Sequence, residues 1–137
     1  MRFEKNVEDR HTVIKLLEEK LDSRISATLK SEFVNLSAIG TRNIILNLDQ
    51  VRYADSSGLS AILTAKRLCD NAGGMLVVSN LTSHVEKLIK ISQLDTVLNI
   101  LPTESEAREA VFMHEIEREV LSESMVGEEE GEEAENY

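Results

Sequence analysis

The run Asp55-Ser56-Ser57-Gly58-Leu59 places a carboxylate, two hydroxyls and a glycine in consecutive positions. Hydroxyls in such a setting can cap a helix, meet a partner or accept a phosphoryl group. The apolar segment Asn43–Leu48 runs up to them, and a helical pattern from Leu59 to Ala72 runs away. The serines therefore fall where a strand-side turn becomes a helix N-terminus. Backbone N–H groups are unpaired there, and the helix dipole is positive. Asp55 or Ser56 can cap while Ser57, one position further in, turns its hydroxyl outward. Gly58 removes a side chain beside it and lets a docking backbone approach closely. The plain alternative is that Asp55, Ser56 and Ser57 only cap.

Other chemistry has weaker support. Gly-x-Ser-x-Gly is missing around Ser57, and no phosphate-cradling or dinucleotide-binding glycine motif is present. His11, His84 and His114 lack metal-ligand spacing and read as surface or cap residues. Glu115, Glu117 and Glu119 read as a solvated helix face. Cys69, the single cysteine, sits in the apolar pattern of the helix after the turn and reads as a small core residue. The chain is expected to be non-enzymatic, with no cofactor and no metal.

The elements around the turn follow from periodicity. Phe3, Lys5 and Val7 alternate, and Val13 to Leu17 are largely apolar, which predicts a hairpin of two short strands. Helical continuation through Leu21 competes with that reading. Asp22-Ser23 is a helix-start signal. Ile25, Leu29, Phe33 and Leu36 then recur at helical spacing, and Gly40 ends the run. Asn43–Leu48 is nearly all apolar, as a central, covered strand should be. Gly73-Gly74 stops the next helix, and Met75–Ser79 is a further strand. Ser83 with Glu86, and Thr103 with Glu106, match the capping-box pattern. Between the helices they open, Val97–Leu101 is a last strand. The order β-β-α-β-α-β-α-β-α predicts an α/β fold: a mixed, largely parallel sheet of about five strands with four helices.

Composition narrows the partners. Of 137 residues, 42% are hydrophobic but only 4% aromatic, so the core should be aliphatic and base stacking has little to work with. The net charge of -10 disfavours nucleic acid, which needs a basic surface. Six of those charges are glutamates between Gly127 and Tyr137. Residues 1–122 therefore read as one domain with a terminal helix near 104–122, and 123–137 as an acidic, disordered tail. One cysteine, no signal-like stretch and no run of about 20 apolar residues point to a cytoplasmic protein without membrane insertion.

These residues together resemble the STAS domain of bacterial anti-sigma factor antagonists. The resemblance covers roughly residues 2–120. It rests on Asp55-Ser56-Ser57-Gly58-Leu59 after Ile44-Ile45-Leu46-Asn47-Leu48, on Gly73-Gly74 before the next strand, and on Leu21-Asp22 before the first helix. The chain departs from the family in having Glu19 where glycine is usual and in running past the usual domain end. The resemblance implies that Ser57, directly before the glycine, accepts phosphate from an anti-sigma factor with serine kinase activity. Ser56 is the alternative acceptor. It implies a partner-binding surface of Asp22, Asp55, Ser56, Ser57, Gly58 and Leu59. It also leaves a phosphatase as a further candidate partner. Asp22 has the competing reading of a plain helix cap. The alternative role is a STAS regulatory subunit of a transporter or a stress-signalling complex.

Overall fold

The computed structural model describes the backbone of residues 1–135 and the side chains of residues 1–124. The strands are β1 Phe3–Val7, β2 Thr12–Leu16, β3 Lys20–Leu21, β4 Ile44–Asn47, β5 Tyr53–Ala54, β6 Leu76–Ser79 and β7 Asn99–Leu101. The helices are α1 Ser26–Ala38, α2 Ser56–Asn71, α3 Ser83–Ile91 and α4 Glu104–Glu135, with a single 3-10 turn at Leu94–Thr96. The main sheet has five strands in the order β1-β2-β4-β6-β7. β1 runs antiparallel to β2, and the remaining pairs are parallel. The expected hairpin, central strand and mixed sheet are therefore present.

Alternation along the strands sorts the core into two layers. Ile14 and Leu16, Ile44 and Leu46, and Leu76 and Val78 face one side, where Leu29, Phe33 and Leu36 of α1, Ile62 and Ala65 of α2, and Val85 and Ile89 of α3 cover them. Val13, Ile45 and Val77 face the other side and pack on Ala107 and Val111 of α4. Each Val, Leu, Ile or Phe side chain so buried is worth about 1.5–3 kcal/mol. Covering both faces is what a nearly all-apolar central strand requires.

Helix ends depart from the sequence reading in instructive ways. α1 starts at Ser26 rather than at Asp22-Ser23. The Asp22 carbonyl accepts from the Ile25 and Ser26 amides at 3.1 and 3.0 Å, and its carboxylate accepts from the Arg24 amide at 3.1 Å. Asp22 thus builds a turn before the helix, an outcome open to any short acidic side chain beside free amides. α1 closes as expected: Gly40 has φ +94°, and the amides of Gly40 and Thr41 donate to Ser37 and Leu36. The box at Ser83 and Glu86 does not form. Thr82 holds the cap position, and its hydroxyl donates to the Val51 carbonyl at 2.7 Å. The box at Thr103 forms in half, with Thr103 Oγ1 accepting from the Glu106 amide at 3.2 Å.

α4 continues past residue 122 to Glu135, through much of the segment read as a disordered tail. Glutamate is a good helix former, so the acidic composition does not oppose this. The side chains beyond residue 124, and the whole of residues 136–137, lie outside the described residues. Glu115 is the other correction on this helix. It is 4% exposed rather than solvated. Its carboxylate accepts from Asn43 Nδ2 at 2.7 Å and from Arg42 Nη2 at 2.9 Å.

Candidate functional site

The polar turn is positioned by two strands too short to show a sequence period. β3 and β5 pair in parallel, Lys20 with Tyr53 and Leu21 with Ala54. The Asp55 amide extends the ladder to the Leu21 carbonyl at 3.2 Å. One residue beyond that pairing, Asp22 and Asp55 leave the two strand ends side by side. Sequence reasoning placed Asp22 near the turn only by resemblance. The register supplies the reason.

Asp55 caps α2 from an extended conformation, φ -111° and ψ -176°. Its Oδ1 accepts from the Gly58 amide at 3.0 Å and from the Ser57 hydroxyl at 2.5 Å. Ser57 is half-buried and Ser56 is exposed. The Ser57 hydroxyl therefore points back at Asp55, not freely outward as expected, although it stays at the rim. The hydrogen bond from Ser57, then the amides of Gly58, Ser23 and Ser57, hold the Asp55 carboxyl below the usual aspartate range against the opposing effect of desolvation. Asp22 is held low by the Arg24 guanidinium, which grips its carboxylate through Nε at 3.2 Å and Nη2 at 3.0 Å. The neighbouring Asp55 charge acts in the opposite direction.

A depressed carboxylate keeps its folded-state contacts at and above its unfolded pKa and loses them as pH falls through the lower folded value. The Ser57–Asp55 bond is thus expected to be constant from neutral pH to about pH 4 and to break only below it. An NMR titration of the Gly58 amide shift checks this. A midpoint above the ordinary aspartate value contradicts it.

Gly58 and Leu59 form the floor of the turn. A Cβ on Gly58 would overlap the Leu21 carbonyl oxygen and lie 2.7 Å from Leu21 Cγ. The space that Gly58 leaves is thus filled by β3 of the same chain, not kept for a docking partner. Leu59 is 7% exposed and belongs to the core. Of the six residues read as a surface, Asp22, Asp55, Ser56 and Ser57 remain at the rim, and Gly58 and Leu59 support them from below.

Two neighbours escaped the sequence reading. Arg24 is tied to Asp22. Tyr53, 45% exposed, stacks on His84 with ring centroids 6.2 Å apart and planes at 20°. No local pattern links positions 53 and 84, so only the fold brings them together. Ser57 has Asp55 as its side-chain hydrogen-bond partner among the described residues, and no histidine is hydrogen-bonded to it there. His114 instead lies 3.3 Å from the Gly73 carbonyl. Burial pushes the Cys69 thiol up to about 12, which fits a core residue. Among the described residues, no His, Cys, Asp and Glu cluster could hold a metal, and no helix is long and apolar enough to cross a membrane.

A mixed α/β sheet with helices on both faces presents a hydroxyl-bearing strand-to-helix turn at the N-terminus of α2. The chain belongs to the STAS domain family, whose profile matches residues 2–107. It is 32% identical over 80 residues to a candidate anti-sigma factor antagonist, a TM1081 homologue from Thermotoga neapolitana, covering 58% of this chain and 68% of that one. The crystal structure of TM1081 itself, a candidate anti-sigma factor antagonist from Thermotoga maritima, superposes with TM-score 0.71 at 27% identity, over 80% of this chain and 93% of that one. The phosphorylated form of SpoIIAA, a Bacillus cell fate determinant, superposes with TM-score 0.64 at 24% identity, over 80% of this chain and 99% of that one. At that identity the last likeness bears on the fold alone.

Proposed function

We propose that this chain is an anti-sigma factor antagonist that binds an anti-sigma factor with serine kinase activity and thereby frees a sigma factor. Phosphorylation of Ser57 ends the binding. The observation that carries this reading is the placement of Ser57. Its hydroxyl lies at the rim of the α2 N-terminus, oriented by Asp55, in a chain whose relatives bear the antagonist name. The fold alone hosts several roles, so the site has to carry the function.

In the transfer, Ser57 Oγ attacks the γ-phosphorus of a nucleoside triphosphate held by the kinase. The Oγ–P bond forms, the bond to the β–γ bridging oxygen breaks, and the diphosphate stays with the kinase. The hydroxyl proton leaves to the kinase's base. Oγ must turn from Asp55 to do this, a rotation about one side-chain bond.

The modified serine carries about -1.5 to -2 charges. A helix N-terminus tolerates that charge, so α2 should stand. The effect falls on what docks there, through bulk and through repulsion from carboxylates. Asp22, Asp55 and Ser56 complete the contacted surface, with Gly58 and Leu59 holding its shape.

Ser57→Asp is expected to keep the wild-type circular dichroism spectrum and to bind the purified kinase at least about tenfold more weakly in calorimetry, as for a buried like-charge contact. Phosphate incorporation into Ser57→Ala and Ser56→Ala separates the two acceptors, and only the former should abolish it. Full incorporation into Ser57→Ala, or unchanged affinity of Ser57→Asp, defeats the proposal.

A further inference from the structure

We infer that Arg24 is the counter-charge of the phosphorylated form, and that on modification it shifts from Asp22 to the phosphate on Ser57. This rests on the reading of Ser57 as the acceptor and names how the same site responds.

Three observations lead there. First, the β3–β5 register sets Asp22 and Asp55 side by side, and the Asp55 charge bears on Asp22. Second, Ser57 Oγ donates to Asp55 at 2.5 Å. A phosphorylated Oγ has no hydrogen to give, so this bond is replaced by two anions in contact. Asp22, Asp55 and the phosphate then form three neighbouring anionic groups. Third, Arg24 is the one cation bonded to either carboxylate among the described residues.

Arg24 is also free to respond. Its side chain is 70% exposed, so moving it uncovers no core. Its backbone sits next to Ser23, whose amide reaches Asp55. A guanidinium fork binds phosphate oxygens two at a time, and a dianion outcompetes the single charge of Asp22. Asp22 is left without its partner when Arg24 moves. One modification would thus change two positions on the docking surface while the backbone stays in place.

The test places phosphoserine at position 57 during translation, so no kinase is needed. The phosphate's second ionisation is followed by phosphorus NMR at low salt in wild type, Arg24→Gln and Arg24→Lys. His84, stacked on Tyr53, is replaced by Gln in all three so that Arg24 is the group that varies at this surface. Lys20 and Arg52 stay unchanged in all three. A nearby cation lowers the midpoint and nearby carboxylates raise it. Arg24→Gln is expected to raise it by about half a pH unit or more, and Arg24→Lys to restore much of the difference. Coincident midpoints for wild type and Arg24→Gln overturn the inference. If Arg24→Gln does not fold, the Arg24 Nε–H resonance of the wild-type background decides, since an unchanged position on phosphorylation also overturns it. A kinase that leaves Ser57 unmodified would sink the proposed function but not alter this measurement. Coincident midpoints would sink the Arg24 role while the kinase reaction stands.

Discussion

Gly58→Ala is expected to lower folding stability by about 3 kcal/mol, the upper range for forcing a group into packed space. The added methyl meets the Leu21 carbonyl and Cγ. β3 cannot retreat without giving up its pairing with β5 and the bond from the Asp55 amide to Leu21. Alanine's better helix propensity returns at most about 1 kcal/mol, so the steric effect wins. For a domain of this size the melting temperature should fall by roughly 10 °C. Thermal and urea unfolding followed by circular dichroism check it. A variant as stable as wild type shows that Gly58 is not clearing space for Leu21. Any loss of partner binding in this variant then follows from displacement of Asp22 relative to Asp55, not from a lost contact to glycine.

Glu115→Ala is expected to destabilise by about 2 kcal/mol, because it strips partners from buried donors. Asn43 is 1% exposed, and its amide nitrogen bridges Glu115 and the Arg10 carbonyl. Its oxygen accepts from the Met75 amide at 2.9 Å. Removing the carboxylate leaves one of those buried amide hydrogens without its partner. Arg42, half-exposed, turns to water, which keeps the effect below that of a fully buried ion pair.

The contribution also depends on pH. Burial acts to raise the Glu115 pKa, but the Asn43 hydrogen bond and the charges of Arg42 and Arg118 outweigh it and lower it. A depressed folded value means that the stabilisation is present above the unfolded glutamate pKa and lost as pH falls through the folded one. Wild type and Glu115→Gln should therefore differ at pH 7 and converge below about pH 4 in urea titrations. A difference that persists at pH 3 contradicts the ionic origin.

Arg42, Asn43 and Glu115 also show where sequence reasoning stops. On α4, Glu115 stands among Glu109, Glu117 and Glu119, and nothing local distinguishes it. Its burial is decided by Asn43, 72 positions away. The capping boxes teach the same lesson. Thr103 caps because nothing else claims its hydroxyl, whereas Ser83 is displaced by Thr82, which reaches across to Val51. Helix content beyond residue 122 was hidden by composition, since a glutamate run reads equally as solvated coil or as helix.

By itself, the sequence determined the strands β1, β2, β4, β6 and β7, the helix face Leu29–Phe33–Leu36, the apolar pattern of α2 that holds Cys69, and the place of Asp55, Ser56 and Ser57 between strand and helix. Those features are set by hydrophobic period and by residues a few positions apart, and both are local. The structure decided that Ser57 leans on Asp55 and Arg24 on Asp22, and tertiary pairing alone set those two carboxylates side by side and made Gly58 leave room for Leu21. Two-residue strands such as β3 and β5 have no period to read. Their pairing exists only because the rest of the chain folds positions 21 and 54 into register, which is where Ser57 gets its surroundings.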